Sequence, residues 1–178
     1  MTCDDVLEVL ERLDRAGVAV WVDGGWGVDA LVGRQTREHD DLDLALARDE
    51  LDRACRALAA AGFQRDHDAD PGLPARCVLL DAQGREVDFH PLVFDAAGDG
   101  WQQLAIDAPT PPGGGAGWGR YPAEHMRARG SLCGRVVRCL SAELQMLFHQ
   151  GYAWGASDQH DVALLQRECG VAAPTPDR

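Results

Sequence analysis

An α+β fold, with a small mixed β-sheet backed by helices and followed by C-terminal helices, is what this 178-residue sequence predicts. Three observations carry the prediction. Short apolar strands alternate with amphipathic helical segments through the first half of the chain. A glycine pair, Gly24-Gly25, joins the first strand to a short helix. Acidic and apolar residues then alternate over Asp41-Leu-Asp-Leu-Ala-Leu46.

Each element follows from its local pattern. Val6, Leu7, Leu10 and Leu13 recur at helical spacing over residues 4–16, and Gly17 stops that helix. Residues 18–22, Val-Ala-Val-Trp-Val, form a short apolar strand. Gly24 and Gly25 make the turn, and residues 26–32 form a brief helix that ends at Gly33. Residues 41–46 make a half-buried strand, with Asp41 and Asp43 on one face and Leu42, Leu44 and Leu46 on the other. An alanine-rich helix covers residues 49–61 before Gly62. Residues 76–80 and 86–90 flank Ala82-Gln-Gly-Arg85 as a β-hairpin. Residues 95–119, rich in Gly and Pro, predict a long loop. Arg135–Cys139 is a last short strand. Ser141 caps a helix to about residue 151, a second helix runs from Ser157 or Asp158 to about Cys169, and the tail from Ala172 frays. The whole of 1–178 is expected to form one domain: sheet and helices over about 1–95, a loop-rich segment over about 96–140 and C-terminal helices over about 141–170.

Composition narrows the function. A net charge of −12 argues against non-specific nucleic-acid binding, which relies on basic patches. No apolar run reaches the roughly 18 residues of a membrane span. The acidic N-terminus lacks the basic and apolar regions of a signal peptide, so the cytoplasm is the expected compartment. All 17 basic residues are arginine, so any cation on a phosphate is an arginine or a metal. The cysteines at 3, 55, 77, 133, 139 and 169 show no Cys-x-x-Cys spacing, which speaks against zinc and for reduced, mostly buried thiols.

Successive same-face residues of a strand lie about 6.5–7 Å apart. Asp41 and Asp43 at that separation suit magnesium, which takes one or two carboxylates together with substrate phosphates. Two such ions about 3.5–4 Å apart clamp the attacking and leaving oxygens of an in-line displacement at phosphorus. A third acid is needed from a neighbouring strand. Asp88, between Val87 and Phe89, occupies a costly place for an unpartnered charge. A solvated strand face is the ordinary explanation of an Asp-x-Asp in an acidic chain. The glycine turn in front, Arg37 and His39 beside it, and Asp88 downstream reverse that preference. Backbone amides at Gly24 and Gly25, next to a helix N-terminus, attract phosphate. Arg37 offers a fork for a β- or γ-phosphate, and His39 a hydrogen bond to phosphate or to an acid. Asp29, within the short helix, fits a structural role at least as well as a catalytic one.

Taken together, Gly24-Gly-Trp-Gly-Val-Asp29, Gly33, Arg37-Glu-His39, Asp41-Leu-Asp43, Asp88-Phe-His-Pro91, Glu143 to Tyr152 and His160-Asp161 resemble the small lincosamide nucleotidyltransferases of the DNA-polymerase-β-like superfamily. The likeness runs in order over nearly the whole chain and is weakest over residues 95–125. It implies a polymerase-β-like fold and the transfer of AMP from Mg-ATP to a drug hydroxyl, with pyrophosphate released. It further implies that Asp41, Asp43 and Asp88 bind two magnesium ions, with Asp88 also accepting the hydroxyl proton. Gly24, Gly25, Arg37 and His39 would serve the triphosphate, and the chain would form a homodimer. Tyr152 and Trp154 are stacking candidates, with core packing the more ordinary role. Aminoglycoside 2″-nucleotidyltransferases share the first block and the third acid. A protein-adenylylating enzyme and a non-catalytic antitoxin-like module are the remaining alternatives.

Overall fold

The computed structural model describes residues 1–66, 75–105 and 117–172. Its first half runs α1 (Cys3–Arg15), β1 (Val20–Val22), α2 (Gly24–Val32), β2 (Asp41–Ala47), α3 (Leu51–Ala59), β3 (Gln64–Arg65), β4 (Cys77–Leu80) and β5 (Glu86–Phe94). The second half runs β6 (Gly100–Gln103), β7 (Trp118–Tyr121), β8 (Arg129–Leu132), β9 (Arg135–Arg138), α4 (Ala142–Phe148) and α5 (Ala156–Cys169). One mixed sheet has the order β1-β2-β5-β4-β3, and β6 extends it from the far end of β5 and carries β7. The pair β2–β5 is parallel, and the other pairs of this sheet are antiparallel. β8 and β9 form a separate ribbon.

The alternation read from the sequence decides which face is buried. Leu42, Leu44 and Leu46 of β2 and Val87 and Phe89 of β5 pack with Val6, Val9, Leu10 and Leu13 of α1 and Leu58 of α3 in the main core. The intervening residues, Asp41, Asp43, Asp88 and His90, therefore face the other way. On that side α4 and α5 pack against α2 through Val28, Met146, Val162 and Leu165. Tyr121, Leu140 and Leu144 close over Ala45 and Leu92. None of the described helices is long and apolar enough to cross a membrane.

Two expectations change. The 95–119 segment is not loop throughout: β6 lies within it and β7 begins at its end, and the two pair antiparallel from Gly100↔Tyr121 to Gln103↔Trp118. The glycine-rich run 111–115 lies outside the described residues. The cysteines are not all free thiols either. Cys3, at the start of α1, is joined by a disulfide to Cys133, in the β8–β9 turn, with Cα atoms 6.4 Å apart. A separation of 130 residues leaves no spacing signal for such a pairing.

Arg85 ties α1 to the β4–β5 turn. It donates to Asp81 at 2.6 Å, Glu8 at 2.9 Å and Asp5 at 3.2 Å, and its guanidinium lies 5.1 Å from the Phe63 ring centroid. The Asp81 side chain is almost fully buried. Arg85→Ala strands that carboxylate and is expected to cost about 2–3 kcal/mol, measured by chemical denaturation at neutral pH. Hydrogen bonds from Thr2 and Arg85 hold Asp5 below its usual range, and those from Arg12 and Arg85 do the same for Glu8. At Asp81, burial alone would raise the carboxyl, but the Arg85 and Gln83 hydrogen bonds outweigh it. Groups with lowered folded-state values stabilise fully above the unfolded-state values and lose that contribution as pH falls through the folded ones. The gap between wild type and variant therefore closes in acid.

Candidate active site

The parallel register of β2 and β5 sets Asp41 opposite Glu86, Asp43 opposite Asp88 and Ala45 opposite His90. Carboxylate oxygens of Asp43 and Asp88 and a ring nitrogen of His90 lie within 4.8 Å of one another. Asp41 stands one step along β2, outside this cluster, on the wall of the same cavity. Burial pushes the Asp43 carboxyl up to about 7 against the opposing pull of His90, and Asp41, Asp23 and Asp88 push the same way. Burial alone would lower the His90 imidazole, but Asp23, Asp88 and Asp43 together hold it well above its ordinary value. A divalent cation would relieve the same crowding of acids, and two close carboxylates are the oxygen donors that magnesium prefers. Asp88 also keeps a buried Oδ1 without a hydrogen-bond partner among the described residues. This donor set fits a cation.

The glycine turn is shaped by these acids. Asp23 caps α2, its carboxylate accepting the Gly24 amide at 2.7 Å and lying 3.3 Å from His90 Nδ1. Gly24 has a positive φ of 57°, and a Cβ there would overlap the Asp43 carboxylate. A Cβ on Gly25 would overlap Arg37 Nη2 and lie 2.6 Å from His39 Nδ1. The pair thus forms the first turn of α2 rather than a loop before it, and it is the floor on which Asp43 rests.

Arg37 lines the cavity, its fork donating to Asp161 of α5 at 3.0 and 2.7 Å and its Nη1 to the Glu38 carbonyl. His39 is buried behind the turn. Its Nε2 is 2.6 Å from Asp29 Oδ2 and its ring stacks 4.4 Å from Trp26. Asp29 also accepts from Thr36, and Thr36 Oγ1 lies 3.0 Å from His160 Nε2. A chain of polar contacts therefore runs from α5 through Thr36 and Asp29 to His39, whose ring leaves no room for a side chain at Gly25. Of the residues singled out from sequence, Gly24, Gly25, Arg37, Asp41 and Asp43 border the cavity, Asp88 sits just beneath it and His39 supports it from behind.

The cavity holds about 930 Å³ between the acidic sheet face and the C-terminal helices. An acid-lined cleft of this size beside a glycine-floored helix end suits a nucleotide and a second small molecule. The sequence model describing aminoglycoside-2″-adenylyltransferases matches residues 5–165. The chain belongs to this family. It is an antibiotic nucleotidyltransferase, and membership implies a nucleotide co-substrate and a divalent cation. A lincosamide resistance protein of Staphylococcus haemolyticus is 28% identical over 93% of this chain and 95% of its own. A 2″-aminoglycoside nucleotidyltransferase of Klebsiella pneumoniae is 27% identical over 76% of this chain and 66% of its own. A lincosamide antibiotic adenylyltransferase with lincomycin bound superposes with a TM-score of 0.78 and 26% identity, over 94% of this chain and 98% of its own. An aminoglycoside enzyme in complex with adenylyl-2″-tobramycin gives 0.66 and 19% over 94% of this chain and 89% of its own. The α+β fold is the polymerase-β-like nucleotidyltransferase fold.

The far wall of this adenylyltransferase contains residues that sequence reasoning missed. Gln102 and Tyr121, from β6 and β7, share a hydrogen bond of 3.1 Å at the cavity edge. Burial, with Asp23 and Asp43 nearby, pushes the Tyr121 hydroxyl well above its ordinary value. Gln145 of α4 is buried against Gly27, where any Cβ would strike its amide. His90 carried a signal that was open to use: it follows Asp88 by two and so shares its face. Core packing is corrected for both aromatic candidates. Tyr152 is 51% exposed, lines the cavity and donates to Asp158, and Trp154 is 37% exposed and donates to the His149 carbonyl.

Proposed function

We propose that the protein transfers the adenylyl group of Mg-ATP to a hydroxyl of a lincosamide antibiotic and releases pyrophosphate. The observation that carries this reading is the in-register pair Asp43–Asp88, with Asp43 resting against Gly24 and His90 between the two acids and Asp23. Gly24 and Gly25 let the triphosphate approach the start of α2. Arg37 has five N–H groups, of which Asp161 and Glu38 take three, so two remain for a phosphate oxygen. Asp161 fixes the fork, and His39 holds the turn from behind. Asp43 and Asp88, with Asp41 at the cavity edge, would hold the cations, two in this reading. When bound, these ions supply the positive charge that neutralises the triphosphate and favours the ionised hydroxyl. Asp88 accepts the hydroxyl proton as the oxygen attacks the α-phosphorus and the bond to pyrophosphate breaks. Positioning and charge supply most of the rate. The use of ATP supports a cytoplasmic compartment for the reaction.

Fuller coverage and the higher TM-score favour the lincosamide over the aminoglycoside relatives. An aminoglycoside remains the second reading because Glu38, Asp40, Asp41 and Asp158 line the cavity and suit a polycation. Mass spectrometry after incubation with Mg-ATP separates the two. The expected result is one added adenylyl group on lincomycin and clindamycin. Addition only to kanamycin or gentamicin reverses the assignment.

A further inference from the structure

Arg76 stands immediately before β4. The β4–β5 register pairs Cys77 with Phe89, which puts Arg76 level with His90 on the acidic face. Its Nη2 lies 2.5 Å from Asp88 Oδ2, and Glu86 is 4.0 Å away. The Arg76 side chain is 37% exposed and that of Asp88 only 4%. Asp43 and His90 line the cavity, whereas Asp88 does not. Asp88 Oδ1 and Arg76 Nε are both buried without a hydrogen-bond partner among the described residues. The pair is thus close but half satisfied, and a buried carboxylate in that condition is primed to exchange its partner.

We propose that Arg76 is the resident counter-ion of Asp88 and that a divalent cation must displace it to reach that carboxylate. This rests on the adenylyl-transfer reading above. Arg76 is a positioning residue in this account. It neutralises Asp88 while the site holds no cation, and it makes a bare cation a poor competitor. A cation arriving with nucleotide brings phosphate oxygens as further ligands, so the exchange is favoured only when the co-substrate comes too. The order of binding is then set by a side chain outside the Asp-x-Asp strand.

Binding of Mn²⁺ without nucleotide, followed by the paramagnetic resonance of the free ion, tests the idea. Arg76→Gln is expected to bind Mn²⁺ about tenfold more tightly than wild type, and Arg76→Lys to stay near wild type. Arg76→Gln is also expected to melt below wild type without cation, with Mn²⁺ closing the gap. A merely structural lesion would lower the melting temperature without tightening Mn²⁺ binding. Unchanged or weaker Mn²⁺ affinity in Arg76→Gln overturns the proposal. Asp43→Asn, made in both backgrounds, separates this failure from failure of the underlying reading. If it abolishes Mn²⁺ binding while Arg76→Gln changes nothing, only the role of Arg76 falls. If it leaves Mn²⁺ binding intact in both, the cation site itself is misplaced, and the proposal falls with it.

Discussion

Asp88→Asn is expected to lower adenylyl transfer by about 10³-fold or more while leaving the protein folded. The substitution keeps the size of the side chain and removes one charge. In the proposed mechanism it takes away a cation ligand and the group that accepts the hydroxyl proton, two losses that fall on the same step. Asp88 is buried on β5, so a change of shape there would be felt by Phe89 and Val87 in the main core. Asparagine avoids that, and its amide oxygen can still face Arg76. Pyrophosphate release in the presence of lincomycin is the direct measurement, with a thermal melt alongside. Undiminished release from a folded variant would remove Asp88 from the mechanism. Asp43→Asn should give a loss of similar size, because Asp43 shares the cluster and rests on the glycine floor.

The parts of this site that repeat at period two or sit beside glycines were legible in the sequence. Asp43 and Asp88 could be placed on adjacent strands because Leu42, Leu44, Val87 and Phe89 fix which face is buried. Parallel pairing and the exact register were not legible, since they depend on how α3 and the short strands between return the chain. β7 escaped notice because Trp118-Gly-Arg-Tyr121 has no apolar alternation of its own. It is extended because it pairs β6, which in turn pairs the end of β5 beyond the expected hairpin. Arg37 was found, but not its anchor: Asp161 lies 124 residues away. Arg76 was hidden for a related reason. An arginine at the end of a strand usually faces solvent, and only the neighbouring strand shows that this one lies over a buried acid. His39 stands out in the sequence because it just precedes the acidic strand, yet local sequence does not reveal that Asp29 and Trp26 hold its ring behind the turn.

Gly24→Ala is expected to reduce kcat by about 10²-fold through geometry alone, without removing any charged group. Two effects act at this position. The backbone is left-handed at φ 57°, a conformation that costs an L-residue about 1–2 kcal/mol. The new Cβ would also overlap Asp43 Oδ2 and lie 2.9 Å from its Cγ and 3.2 Å from its Cβ. Asp43 cannot back away as a unit, because its strand is held between β1 and β5. Its carboxylate must rotate instead, away from Asp88 and His90, and the cluster opens. Gly33 supplies the control. It too is left-handed, at φ 78°, but nothing lies within 4 Å of the Cβ it would gain. Gly33→Ala should therefore show the backbone cost as a drop of about 2–8 °C in melting temperature, with kcat unchanged. Gly24→Ala should show at least as large a drop together with the loss of turnover. Wild-type kcat in Gly24→Ala would mean that Asp43 does not need its present position against the turn, and the cation site would have to be rebuilt around a different set of oxygens.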